Sequence, residues 1–253
     1  MSGAPDPVAL VTGGSGGIGA GVVRRLHADG YRVLATFHRH RERAHAMAEQ
    51  LDPRGDRIVF VPCDLADPAA DPADLVTAAT GHFGRLDALV HAAATVDDTA
   101  FAAATSTQFD QVLRVNLTSA FFLTRAAAAT GTLRAAVFTS SISERFTGPD
   151  SAAYHASKAG LSMLARVLAC QLAPLTRVNA VAPGAIEVER HAQDPGWPRE
   201  MLAERIPAGR VGMAADVADV IAFLLSAQAR YITGRVTYVD GGLSLQLSAT
   251  TGS

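Results

Sequence analysis

Short, almost wholly apolar runs alternate along the chain with longer segments whose apolar positions recur every three or four residues. The runs are Val8–Thr12, Tyr31–Phe37, Arg57–Pro62, Leu86–His91, Ala135–Ser140, Arg177–Val181 and Arg235–Val239. Such runs, lacking a polar alternation, predict strands buried on both faces. Between them, Gly17–Asp29, Arg41–Leu51, Pro72–Phe83, Ser106–Ala129, Ser151–Leu172 and Ala214–Ser226 predict helices. Strict alternation of the two predicts an α/β architecture, a parallel sheet of about seven strands with helices on both faces. No repeat or linker divides the chain, so residues 1–253 are expected to form a single domain. One stretch breaks the pattern. Glu187–Arg210 holds Pro195, Gly196, Trp197, Pro198 and Pro207, and a polar, proline-interrupted insert of this kind reads as a substrate-covering loop or as a surface excursion.

Composition narrows the function. Apolar residues make up 49% of the chain and charged residues 18%, enough for a large core. With 22 basic and 24 acidic residues the net charge is −2, without the basic excess of a nucleic-acid binder. No apolar run approaches the ~20 residues of a membrane span, and the first residues lack the basic and apolar regions of a secretory leader. Cys63 and Cys170 form neither a disulfide framework nor a metal pair by spacing. The expectation is a cytoplasmic protein that binds no nucleic acid, membrane or metal. Of the 22 basic residues, Lys158 alone is lysine, and Asn116 and Asn179 are the only asparagines. Against a composition so rich in arginine and alanine, these positions are candidates for specific chemistry.

Thr12-Gly13-Gly14-Ser15-Gly16-Gly17-Ile18-Gly19 joins the first predicted strand to the first helix. Glycines there let the backbone approach a pyrophosphate, whose charge is stabilised by free amides at the helix N-terminus. That position predicts dinucleotide binding through Gly13, Ser15, Gly16, Gly17, Ile18 and Gly19. The second strand runs into Phe37-His38-Arg39-His40-Arg41, with no carboxylate before Glu42. A carboxylate at this point would grip a ribose hydroxyl, whereas Arg39 can pair with a 2′-phosphate. The choice lies between NADPH/NADP+ and a merely solvated basic helix start, and NADPH is favoured. Zinc on His38, His40 and His45 is opposed by the interleaved arginines.

Tyr154-His155-Ala156-Ser157-Lys158 opens a predicted helix, and a spacing of four sets Tyr154 and Lys158 on one face. A free tyrosine is a poor proton shuttle at neutral pH, but a nearby ammonium favours the phenolate. Ser141 follows the fifth strand, beyond the strand ends where open α/β sheets bind ligands.

With these residues in view, the chain resembles the single-domain branch of the short-chain dehydrogenase/reductase family over essentially its full length. The matching residues are the Thr12–Gly19 turn, Cys63-Asp64-Leu65, Asn116 in Val115-Asn116-Leu117, Ser140-Ser141, Tyr154-x-Ala-Ser-Lys158, Asn179, Pro183-Gly184, Tyr231–Gly234 and Val239–Gly242. The resemblance implies a Rossmann fold with a doubly wound sheet. It implies Tyr154 as general acid in reduction, and Lys158 as the group that lowers the tyrosine's pKa and binds the nicotinamide ribose. Ser141 would hydrogen-bond the substrate carbonyl, and Asn116 would shape its helix and anchor a proton-relay water. Asp64 would meet the adenine and Ile186 the nicotinamide; Leu65, Ala92, Ala93, Pro183, Gly184, His38 and Arg39 complete the cofactor set.

Two departures stand out. Where the family usually reads Asn-Asn-Ala-Gly, this chain has His91-Ala92-Ala93-Ala94, and Val188 replaces a threonine that often binds the carboxamide. Within the family the likeness is to 3-oxoacyl-[acyl-carrier-protein] reductases and polyketide ketoreductases, carried by Ile206–Gly212 and the Tyr231–Gly242 tail. This implies reduction of a 3-oxoacyl thioester on an acyl carrier protein. A small free ketone, quinone or pterin, or a non-catalytic dinucleotide-binding subunit, are the alternatives. Arg125, Arg134 and Arg166 are candidates for docking an acidic carrier or are solvated helix charges. The resemblance further implies a homotetramer built through the long helices, with which the Ala126–Ala129 face is compatible.

Overall fold

A computed structural model describes residues 5–148, 151–192, 194 and 196–249. The expectation about the first residues falls in part outside these residues, and Pro195 of the proline-rich insert does so wholly.

Among the described residues, nine strands and ten helices follow in chain order: β1 (Val8–Thr12), α1 (Gly17–Ala28), β2 (Arg32–Phe37), α2 (Arg41–Leu51), β3 (Ile58–Pro62), α3 (Ala73–Phe83), β4 (Ala88–His91), α4 (Ser106–Leu113), α5 (Ser119–Ala129) and β5 (Ala135–Thr139). Then come α6 (Ala152–Leu172), β6 (Arg177–Pro183), β7 (Ile186–Glu187), α7 (Glu189–Ala192), α8 (Arg199–Arg205), β8 (Gly212–Met213), α9 (Ala214–Leu225), β9 (Val236–Val239) and α10 (Leu243–Ala249). Seven strands form one sheet in the order β3-β2-β1-β4-β5-β6-β9, all parallel.

Alternating side chains along each strand feed two cores. Ala9, Val11 and Val33 pack on one face with Val22, Val23 and Leu26 of α1 and Val217, Ile221 and Leu224 of α9. Leu10, Leu34 and Leu89 pack on the other with Leu123 of α5 and Leu161 and Leu168 of α6. Because both faces are covered, the strands are apolar throughout rather than alternating. Strand order reverses between β1 and β4, and the crevice beyond their C-terminal ends is where such sheets bind ligands.

Three expectations need correction. The helix expected over Ser106–Ala129 is broken: Arg114–Thr118 forms a π turn, with the Ser119 amide donating back to Arg114. The apolar periodicity runs through this break because a π turn adds a residue without ending the helix. The Glu187–Arg210 insert is not an irregular loop throughout; it contains α7 and α8. Strand β6 runs on to Pro183 rather than ending at Val181, and Pro183 lies opposite Val239. Helix α10 and the two-residue strands β7 and β8, which pair with each other, carry no periodicity long enough to read in advance.

Candidate active site

The glycine turn leaves β1 at Thr12 and is held by β2. The Gly13 amide donates to Thr36 Oγ1 at 3.0 Å and the Gly14 amide to the Thr36 carbonyl at 2.8 Å. Gly13 has φ +68°, and a Cβ there would lie 2.9 Å from the Ala93 Cα. Only glycine combines that conformation with so close an approach. At Gly19 a Cβ would lie 2.2 Å from the Gly13 carbonyl oxygen, so the first turn of α1 closes directly on the loop.

The N-terminus of α1 already holds an anion from within the chain. The Gly17 amide donates to Glu189 Oε2 at 2.9 Å, and Arg43 Nη1 lies 3.9 Å from the same oxygen. Burial pushes the Glu189 carboxyl up, but the Gly17 amide and the guanidiniums of Arg43 and Arg24 outweigh it, and the pKa lies below the ordinary value. Farther along the crevice, His38 Nε2 and Asp64 Oδ2 are 3.4 Å apart. Asp64 is oriented by the Ala66 amide, which donates to its Oδ1 at 2.9 Å. Burial and the Asp64 charge push the neighbouring Cys63 thiol up to about 11, which favours the protonated form.

At the other end, Ser141 follows β5 and starts a tight turn, its Oγ accepting from the Ser143 amide at 3.1 Å. Tyr238 of β9 donates its hydroxyl proton to Glu144 and so ties the end of that turn to the sheet. Tyr154 lies in the first turns of α6, and the Lys158 Nζ is 5.4 Å from its ring centroid. Lys158 is buried, 2% exposed. Its ammonium donates to the Thr139 carbonyl at 2.8 Å, and burial pulls its pKa down to about 7. The Ser140 hydroxyl, 2.8 Å from Ser162 Oγ, donates to the Lys158 carbonyl at 3.0 Å, pinning this turn of α6 to β5.

Asn116 sits in the π turn, fully buried. Its Oδ1 accepts the Thr95 amide at 2.8 Å, and its Nδ2 donates to the Thr95 carbonyl at 2.9 Å and to Ser157 Oγ at 3.0 Å. The Ser157 hydroxyl donates to the Tyr154 carbonyl at 2.7 Å. Asn116 thus links the segment after β4 to the turn of α6 that bears Tyr154.

One cavity of about 690 Å³ joins these parts. Its lining includes every residue assigned to the cofactor from the sequence, together with Ser141, Tyr154 and Lys158; Asn116 lies behind its wall. The sequence reading missed Arg43 and Glu189, which line it beside the glycine turn, and the flat stack of Trp197 on His191, with centroids 3.7 Å apart, which lines it from the insert. Val188, the departure noted above, lines it too. Arg43 could have been suspected from its place in the first turn of α2; nothing local marks Glu189.

Residues 13–244 match a family model described as enoyl-(acyl carrier protein) reductase. An uncharacterized oxidoreductase of Methylorubrum extorquens is 34% identical over 248 residues, covering 96% of this chain and 100% of that protein. The 3-oxoacyl-[acyl-carrier-protein] reductase FabG of Rickettsia bellii is 35% identical over 241 residues, covering 93% of this chain and 95% of that protein. A crystal structure of a short-chain dehydrogenase/reductase (glucose/ribitol dehydrogenase) from Brucella melitensis superposes with TM-score 0.87 at 30% identity, covering 94% and 97% of the two chains. A parallel sheet with a glycine turn at its switch point defines a dinucleotide-binding protein, and the chain belongs to the short-chain dehydrogenase/reductase family of oxidoreductases. The family fold implies a nicotinamide dinucleotide, and the residues present fit one: Gly13, Gly16, Gly17 and Gly19 line the cavity without side chains, and the Gly17 amide at the helix N-terminus already donates to a carboxylate oxygen.

Proposed function

We propose that the protein reduces a ketone to a secondary alcohol with NADPH, and that the ketone is a 3-oxoacyl thioester carried on an acyl carrier protein. The observation that carries this reading is the cavity in which Ser141, Tyr154 and Lys158 share a wall with the glycine turn and with a basic adenosine end. His38, Arg39, His40 and Arg43 line that end with two carboxylates, Asp64 facing His38 and Glu189 facing Arg43, so the basic groups outnumber the acidic ones. Such a set favours a 2′-phosphate over a free ribose diol.

Gly13, Ser15, Gly16, Gly17, Ile18 and Gly19 would hold the pyrophosphate, Asp64 and Leu65 the adenine, Ala92 and Ala93 the adenine ribose, and Pro183, Gly184 and Ile186 the nicotinamide. When bound, the reduced nicotinamide supplies the hydride to the carbonyl carbon. The Ser141 hydroxyl donates a hydrogen bond to the carbonyl oxygen as negative charge gathers there. Tyr154 gives that oxygen its proton. The Lys158 ammonium stabilises the phenolate left behind and binds the nicotinamide ribose. Asn116 holds Thr95 and Ser157 and would anchor a water in the relay that passes a proton by way of Lys158 back to the Tyr154 phenolate and then restores the Lys158 ammonium.

The chain is read as one cytoplasmic domain that assembles as a homotetramer. Phe121, Met163 and Val167, exposed along α5 and α6 with Leu117 and Gly160 between them, offer an apolar helix face for that assembly. Arg125, Arg134 and Arg166 are the basic positions proposed to meet an acidic carrier.

The test is a turnover assay with NADPH or NADH against acetoacetyl thioesters, on carrier protein and on a short pantetheine mimic. NADPH-dependent reduction with preference for the carrier-bound thioester is the expected result. Slow turnover of both thioesters beside rapid turnover of a free ketone, quinone or pterin would move the substrate class. Cofactor binding without turnover of any ketone would remove the catalytic reading.

A further inference from the structure

His91 ends β4 with its side chain fully buried. Both ring nitrogens are engaged: Nδ1 lies 3.0 Å from Thr12 Oγ1 and Nε2 lies 3.1 Å from the Val115 carbonyl oxygen. A carbonyl only accepts, so Nε2 carries the proton, and Nδ1 accepts from the Thr12 hydroxyl. The Thr12 oxygen in turn accepts the amides of Ala92 and Ala93 at 3.2 and 3.1 Å. On the far side, Val115 belongs to the π turn, where the Ser119 amide reaches back to Arg114 and the Ser119 hydroxyl donates to Val115 at 2.7 Å. The residue after Val115 is Asn116. A single imidazole therefore joins the start of the glycine turn, the segment after β4 and the π turn.

We infer that His91 is a positioning residue for the reaction, a neutral Nε2-protonated imidazole that fixes the π turn bearing Asn116 against the Thr12–Gly13 corner of the cofactor crevice. Its neutrality has a physical cause. Burial disfavours the imidazolium and the Lys158 ammonium repels it, against a smaller opposing pull from the backbone of Val115 and Asn116; the pKa falls to about 3. Lys158 is the charged group that acts on the ring. Protonation would place a second N–H against Thr12 and force its hydroxyl to turn away from the ring. The inference rests on the proposed reductase reading for its kinetic consequence, but not for the tautomer.

The test compares the full chain with His91→Phe, which keeps a ring of similar bulk without donor or acceptor, and His91→Asn, which offers one of each. Three quantities are read below each protein's unfolding temperature: the NADPH dissociation constant, kcat and KM for acetoacetyl thioester, and the imidazole nitrogen shifts of the wild-type protein by NMR. In His91→Phe, kcat is expected to fall by about tenfold or more while NADPH affinity changes by less than about threefold. KM stays near its wild-type value, and His91→Asn recovers a substantial part of kcat. The wild-type shifts should report an Nε2–H neutral ring that does not titrate between about pH 5 and pH 9. A kcat of His91→Phe within about twofold of wild type, or a parallel loss of kcat and cofactor affinity, overturns the positioning role. An Nδ1–H or titrating ring overturns the hydrogen-bond assignment, and does so even if His91→Phe fails to fold. If the wild-type protein reduces no ketone, the reductase reading falls, while the nitrogen shifts still decide the placement of His91.

Discussion

Glu189 Oε2 accepts the amide proton of Gly17 at 2.9 Å, so a side chain from the insert after β6 occupies the anion position at the N-terminus of α1. A dinucleotide phosphate bound there must displace this carboxylate and take over the amide and the nearby Arg43. Glu189→Gln removes the competing charge while keeping its shape. The expected outcome is an NADPH dissociation constant lower by about three- to tenfold, measured by fluorescence titration. Unchanged or weaker binding would mean that Glu189 stays in place beside the phosphates.

Arg43 bears on cofactor choice as well. Its Nη1 lies 3.3 Å from where a Gly16 Cβ would project, on the rim of the crevice beside Arg39 and His40. Replacing Arg39 with Ser and Arg43 with Ala should weaken NADPH by about 10- to 100-fold and leave NADH within about threefold, since only the former carries the 2′-phosphate. Parallel titrations of the two cofactors measure this. Equal losses for both would assign the arginines to the shared pyrophosphate instead.

Tyr154→Phe deletes one oxygen from the cavity wall. Turnover should fall by about 10²- to 10⁴-fold, the range for loss of a positioned general acid. NADPH binding, read separately by fluorescence, should persist. A variant that keeps most of its activity would show that another group supplies the proton.

The buried Lys158 gives the cofactor-free protein a signature in stability against pH. Its ammonium is drawn down from the ordinary 10.5 to about 7 by burial. Between these values the folded chain binds fewer protons than the unfolded one, so this residue makes stability rise with pH across that window and adds a constant penalty below it. Urea midpoints should therefore rise from neutral pH toward pH 10 more steeply in the wild type than in Lys158→Met. Lys158→Met should also be the more stable of the two at pH 7 and below. Identical pH profiles would mean that the amine is solvated.

Much of the fold was legible because β1, β4 and β5 are buried on both sides and so read as nearly unbroken apolar runs. Thr12–Gly19 stood out because its glycines fall at the first strand–helix junction of an alternating chain, where the structure places them along the cavity. What escaped the sequence depends on contacts between distant residues. The π turn at Arg114–Thr118 carries the same apolar spacing as its flanking helices, and its Val115 carbonyl is bound by His91 from another strand. His91 itself was noticed only as a departure with two amides lost, whereas its ring supplies a donor and an acceptor in that place. Glu189 meets Gly17 across 172 positions of chain, which no local pattern announces. Asn116 was singled out by its rarity; its partners Thr95 and Ser157 became visible only in three dimensions.

The central claim is hydride transfer to a carbonyl carbon with protonation by Tyr154. Its most direct test supplies NADPH deuterated at the transferable position and a 3-oxoacyl thioester on carrier protein, and follows the product by NMR. The account predicts deuterium on the carbon that bears the new hydroxyl, with product formation all but abolished in Tyr154→Phe. Oxidation of the deuterated NADPH by an enoyl thioester, with deuterium in the saturated chain and none at a carbinol carbon, would contradict it.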